Sequence, residues 1–413
     1  MIRVPLLSEI SHWISAAPTQ RAVVVPDQAS PLRSDIEGLR GLAVLSLMAV
    51  HMFPQWGRGG GLVGLDMFFV ISGFLITRSL LSVHAGGHAD LPAFYARRIQ
   101  RIVPSLCLVL LFCVAFSWLF TSPEAARQFG KHVVSATFFA SNFMFWRDAA
   151  TPGFGSDSTP LFHIWALAFL AQFCLVWPMV MVWLLRSGRS VVGWVGALLI
   201  CSLVLNLTLI ESDPDATSLL LPSRAWELMV GALLAGLTAK GGGGPVAWIQ
   251  TRLVRSQLAQ QHASNLMAWS GIGLLGASLW LITGSVQVPG WWALLPTLGT
   301  FALLASGPEV TVNRCFLSHP ILRFYGGISY PLYLWHWPLL SFPIVMGVAL
   351  TQELRITILI TSVVLAALTC ELVEKPARSV GPARYAPFAR VGALLATGAL
   401  GWLLMHPDWL DQR

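Results

Sequence analysis

With 413 residues, 55% of them hydrophobic and only 11% charged, and a mean hydropathy of +0.67, the chain is too apolar for an ordinary soluble domain and reads as a polytopic membrane protein. Its formal net charge of +7 is carried by short basic clusters between apolar segments, which read as topology determinants and argue against a nucleic-acid partner. Of the six cysteines, Cys315 lies in a basic loop and the others in apolar segments, so neither a disulfide framework nor a metal-ligand spacing is visible.

Residues 1–33 mix Arg3, Glu9, Pro18, Arg21, Asp27 and Pro31 without a compact apolar core and cleavage signal, and read as a retained cytosolic tail. Apolar segments follow at 42–53, 62–81, 102–120, 161–185, 191–210, 219–237, 266–282, 291–304, 328–348, 356–372 and 391–404. They predict an all-α bundle of about eleven spans. A briefer stretch, 133–146, contains Ser135, Thr137, Ser141 and Asn142. If it is re-entrant or interfacial and the N-terminus is cytosolic, the clusters at Arg97, Arg98 and Arg101, at Arg186 and Arg189, and at Lys375, Arg378 and Arg384 all fall in the cytosol, and the C-terminus lies outside. The loop 240–265 opens with glycines and continues as a basic, partly amphipathic stretch, either a hinge with an interfacial helix or a plain linker.

The first apolar segment carries Arg40 and His51. Eleven helical steps place them on nearly the same face, roughly 16 Å apart. Titratable groups within a membrane helix are costly and usually face an interior cavity, so a cation near one surface looks toward a deep imidazole. A snorkelling arginine and a packing histidine are the alternative. In the second segment Asp66 stands at the level His51 approaches, where it either charges and orients that imidazole or caps the helix start. Gly64 and Gly73 permit close helix approach. Arg98 and Arg101 stand one turn apart at the mouth of the third segment, level with Arg40, a grouping suited to phosphate oxygens or to lipid headgroups. His163 and Trp165, then Arg224 with Glu227, then Tyr333 and His336 in Ser329-Tyr-Pro-Leu-Tyr-Leu-Trp-His-Trp-Pro338 are the later polar groups in apolar surroundings. Arg224 and Glu227 are also spaced as a structural ion pair, and His336 among tryptophans suits either a membrane interface or carbohydrate stacking.

In combination these motifs resemble the acyltransferase-3 family of integral-membrane O-acyltransferases over roughly residues 34–378. The resemblance rests on Asp35-Ile-Glu-Gly-Leu-Arg40-Gly-Leu-Ala-Val with His51, Gly61-Leu-Val-Gly-Leu-Asp66-Met-Phe-Phe-Val-Ile-Ser-Gly-Phe-Leu-Ile-Thr77, Phe94-Tyr-Ala-Arg97-Arg98, the Tyr330 to Pro338 motif, Ser223-Arg-Ala-Trp-Glu227 and Glu374-Lys-Pro-Ala-Arg378. It implies a bacterial inner-membrane enzyme passing an acyl group, commonly from cytosolic acetyl-CoA, to a hydroxyl of a surface polysaccharide, lipopolysaccharide or lipid-linked glycan, without a metal. Arg40, Arg98 and Arg101 match donor-binding positions and His51 the base, supported by Asp66 and Glu227; His163, Trp165, Tyr333 and His336 are the expected acceptor contacts. The implied organisation is a cytosolic tail at 1–33, a membrane acyltransferase domain at 34–378, and a basic linker, further transmembrane helix and outer tail at 379–413. Some relatives continue into an extracytoplasmic hydrolase-like domain, a role open here to a separate soluble transferase.

One departure stands out. Where relatives read His-Thr-Trp-Ser-Leu-Ser-Val-Glu-Glu-Gln-Phe-Tyr, this chain has Ala166, Ala168, Leu170, Ala171 and Cys174 in place of both serines, both acids and the tyrosine, retaining His163, Trp165 and Gln172. That apolar face motivates a competing reading, a noncatalytic protein that binds or translocates a glycolipid. An ion-coupled transporter is disfavoured because no internal repeat is visible.

Overall fold

A computed structural model describes residues 33–54, 63–85, 91–150, 158–239, 257–283, 286–379 and 386–406. Four expectations lie outside them: the N-terminal tail through residue 32, the glycine-rich stretch 240–256, the linker 380–385 and the end beyond residue 406.

The described residues fold into helices. The first part of the chain forms α1 (Ser34–Met52), α2 (Val63–Ala85), α3 (Leu91–Phe120), α4 (Pro123–Thr137), α5 (Ser141–Ala149), α6 (Ile164–Arg186), α7 (Val191–Leu209), α8 (Pro214–Leu219) and α9 (Leu221–Thr238). The second part forms α10 (Gln257–Leu281), α11 (Leu294–Ala305), α12 (Pro320–Gly327), α13 (Ser329–Val345), α14 (Gln352–Thr369), α15 (Lys375–Ser379) and α16 (Ala386–Leu404). Every apolar segment predicted from sequence coincides with one of these. Among the described residues, seven helices are long and apolar enough to cross a membrane. Capping is local and legible: Ser122, Ser190, Asp213 and Thr351 each accept a hydrogen bond from the backbone N–H three residues on.

The ambiguous stretch 133–146 is split. Helix α4 ends at Thr137, Phe139 takes a φ of 52°, and α5 starts at Ser141, so no continuous helix crosses there. Gln172 on α6 holds this break, donating to the Phe139 carbonyl (2.9 Å) and exchanging hydrogen bonds with Asn142. On the same short pair of helices, His132 is buried 3.8 Å from Asp148. Loss of hydration pushes its imidazole down to about 4 despite the carboxylate, so it is neutral near pH 7.

Helices α2 and α9 occupy the centre: 72% of each span is buried, against 17% for α7. They meet backbone to backbone, because a Cβ at Gly73 would overlap the Leu228 carbonyl and one at Gly231 the Val70 carbonyl. On the other side α1 meets α12 in the same way through Gly41 and Gly326. We expect Gly73→Ala to destabilise the fold by about 1–3 kcal/mol through overpacking, measured as a lowered thermal midpoint of the detergent-solubilised protein. An unchanged midpoint would show that α2 and α9 separate freely.

Candidate active site

Two polar centres and one cavity are built from the predicted residues. The cavity, of about 170 Å³, is lined at one end by Arg40, Arg98 and Arg101, and along its walls by Phe69, Leu170 and Tyr333 among others. The three arginines therefore converge as their spacing suggested. Arg40 is fixed by a 2.7 Å hydrogen bond to Ser329 Oγ, while Arg98 stacks over the Phe94 ring, 5.3 Å from its centroid. Two further charged groups adjoin the arginines. Glu374 is buried, accepts from Ser105 Oγ at 3.0 Å and pairs with Arg378, and both charges act on Arg40 and Arg101. Their only sequence signal was the short Glu374 to Arg378 motif, which reads as an ordinary helix-surface pair.

Beyond Tyr333 lies a group of histidines. His51 Nδ1 is 3.2 Å from His336 Nε2, with the two rings stacked at 5.4 Å. His163 crosses His336 edge-on at 5.5 Å, and the Trp337 ring closes on His51 at 4.9 Å. Tyr333 touches both His163 and His336, and its hydroxyl donates to the His163 carbonyl. It is thus the wall shared by the cavity and the histidines. His163 is buried, with the Leu334 backbone as a polar neighbour and the rings of Tyr333 and His336 packed against it.

Helix α1 presents both ends of this arrangement. Arg40 meets Ser329 and His51 meets His336, so α1 and α13 run in the same direction. Arg355 of α14 donates to the His51 and Met52 carbonyls (3.3 and 3.2 Å), holding the end of α1 where its helix dipole is negative. No sequence spacing connects position 355 with position 51.

The second polar centre corrects one expectation. Asp66 does not support His51: its carboxylate accepts from the Arg224 guanidinium, to which Glu227 also bonds at 2.9 Å, and all three side chains are fully buried. The glycine contacts that seat α2 against α9 turn Asp66 toward Arg224. Trp165 joins this centre. Its ring and that of Phe69 face Arg224, with the guanidinium 5.6 and 5.3 Å from the two centroids. Among the described residues no cluster of three or more His, Cys, Asp or Glu side chains is placed to hold a metal ion.

The arrangement joins a cationic cavity to a set of imidazoles through one aromatic wall. Comparisons with known proteins agree on a family. Staphylococcus aureus (strain MRSA252) O-acetyltransferase OatA is 26% identical over 90% of this chain and 62% of its own length. Peptidoglycan O-acetyltransferase OatA of Listeria monocytogenes is 28% identical over 74% of this chain and 49% of its own. A Bacillus subtilis protein, provisionally named peptidoglycan O-acetyltransferase YrhL, is 29% identical over 84% of this chain and 55% of its own. The chain thus spans at most about 62% of the length of these relatives. No solved structure matches it. The profile of the acyltransferase-3 family, described as an acyltransferase domain, matches residues 33–372, and the chain belongs to that family.

Proposed function

We propose that the chain is a multi-pass O-acetyltransferase of the bacterial inner membrane. It moves an acetyl group from cytosolic acetyl-CoA to a sugar hydroxyl of a surface glycan or its lipid-linked precursor. Peptidoglycan is the foremost acceptor because the relatives OatA and YrhL carry it in their names. Lipopolysaccharide and other surface polysaccharides are the remaining candidates. The observation that carries this reading is the convergence of Arg40, Arg98 and Arg101 on one cavity that Tyr333 also lines, while the same ring touches His163 and His336 beside His51.

In this reading the guanidinium groups grip the coenzyme A phosphates bidentately, at the cytosolic end of about eleven crossings. His51 takes the proton of the sugar hydroxyl as its oxygen attacks the thioester carbonyl, and the thiolate leaves with that proton. An acyl-histidine intermediate is the two-step variant. His163 and His336 border the acceptor, and an extracytoplasmic transferase is a candidate partner for onward transfer. Residues 34–378 form the acyltransferase domain, with α16 an additional span leading outward.

Mass spectrometry of ester-linked acetyl groups in glycans from cells with the wild-type chain, His51→Ala or no copy tests the reading. Acetyl mass present only with wild type is the expected result. A second reading, a noncatalytic glycolipid binder, draws on the apolar α6 wall, where Ala166 and Leu170 face the cavity. Equal acetylation in all three strains would favour it. For the donor site, Arg98→Ala with Arg101→Ala is expected to raise the KM for acetyl-CoA roughly 10–100-fold with a smaller change in kcat, read as thiol release. An unchanged KM would move the donor elsewhere.

A further inference from the structure

His336 was expected to touch the acceptor. We infer that it also sets the tautomer of His51, through a hydrogen-bond chain running from His51 to His336 to the Tyr333 backbone carbonyl. The inference rests on the transferase reading for its purpose, and on geometry for its content.

The chain is directional because its last member can only accept. His336 Nδ1 lies 2.7 Å from the Tyr333 carbonyl oxygen, so Nδ1 carries the proton. Neutral His336 then has a bare Nε2, which is an acceptor. That atom is 3.2 Å from His51 Nδ1, so His51 donates from Nδ1 and its own lone pair sits on Nε2. His336 is fully buried in α13, with Trp337 beside it, which shields its end of the bond from water. Asp66, the sequence candidate for this supporting role, is committed to Arg224.

The consequence for the reaction is specific. The hydroxyl proton passes to His51 Nε2 as the oxygen–carbon bond forms, and the resulting imidazolium keeps its Nδ1–H on His336. The carbon–sulfur bond then breaks, and the thiolate takes the proton back from Nε2. His336 neither gains nor loses a proton. It is a positioning residue that holds the basic lone pair on the nitrogen away from itself and stabilises the imidazolium without a carboxylate.

Two amide variants separate the two bonds. His336→Asn places its amide at the level of Nδ1, keeping the Tyr333 bond and losing His51. His336→Gln reaches the level of Nε2 and offers its carbonyl oxygen to His51. The measurement uses the full chain in lipid nanodiscs, with 15N-labelled histidine and acetyl-CoA. The His51 signals are identified as those missing from His51→Ala. Expected are an Nδ1–H, bare-Nε2 tautomer for His51 in wild type and His336→Gln, and loss of that preference in His336→Asn. In His336→Asn kcat should fall roughly 100-fold with the KM for acetyl-CoA unchanged, and His336→Gln should recover most of it. An Nε2–H tautomer in wild type, or an unaltered His51 tautomer in His336→Asn, would overturn the inference. The expected tautomers together with no acetyl transfer by any chain would leave the hydrogen-bond chain standing and sink the transferase reading instead.

Discussion

His51→Ala is expected to lower acetyl transfer by about 10²–10⁴-fold, the usual contribution of a positioned general base, while acetyl-CoA binding is retained. The separation follows from the architecture. The cavity is lined by Arg40, Arg98 and Arg101 but not by His51, which lies beyond Tyr333 against His336 and Trp337. Removing the imidazole leaves the cationic end untouched. Titration of CoA binding to the variant, beside initial rates of thiol release, checks both halves. Transfer at the wild-type rate would show that another group takes the proton, with His163 the nearest candidate because its ring also packs on His336. Loss of CoA binding along with transfer would show that the two regions form one site.

Arg224→Met is expected to destabilise the protein by about 3–5 kcal/mol, the cost of removing one member of a buried charge cluster. Asp66, Arg224 and Glu227 are all fully buried, and the guanidinium also lies over Phe69 and Trp165. Without it two carboxylates face each other with no water and no cation. The triple variant Asp66→Asn, Arg224→Met and Glu227→Gln removes the charges together and should recover most of the stability, since a well-packed neutral replacement is often tolerated. Thermal unfolding in detergent measures both. Activity discriminates the roles as well: if the triple variant folds and transfers acetyl groups, Asp66 and Glu227 serve the fold, whereas a folded but inactive triple variant would return Glu227 to the chemistry. Wild-type stability in Arg224→Met would show that the carboxylates are neutralised by other means.

The helices were legible because the apolar segments are bounded by charges, glycines or caps, which is information local to the chain. The arginine grouping was legible too, since Arg98 and Arg101 are one turn apart and Arg40 reaches their level by helical rise alone. What failed was the pairing of Asp66 with His51. Depth along a helix follows from residue number, but azimuth depends on which neighbour the helix packs against, and that was set by Gly73 and Gly231. Arg355 was invisible for the same reason. Gln172 is instructive in the opposite direction: it survives on a face otherwise turned apolar because it bonds Asn142 and the Phe139 carbonyl, a task independent of the acids that Leu170 and Ala171 replace. Leu170 lines the cavity itself, an apolar neighbour to the arginines there.

Tyr333 has a bioenergetic consequence. In the transferase reading, acetyl passage across the membrane must not become a route for protons, because arginines on one side and imidazoles on the other are parts of a proton path. The Tyr333 ring lines the cavity and packs on His163 and His336, and its hydroxyl donates to the His163 carbonyl. In that reading the same ring is where passage of an acyl arm and leakage of protons are told apart, so it also guards the transmembrane potential.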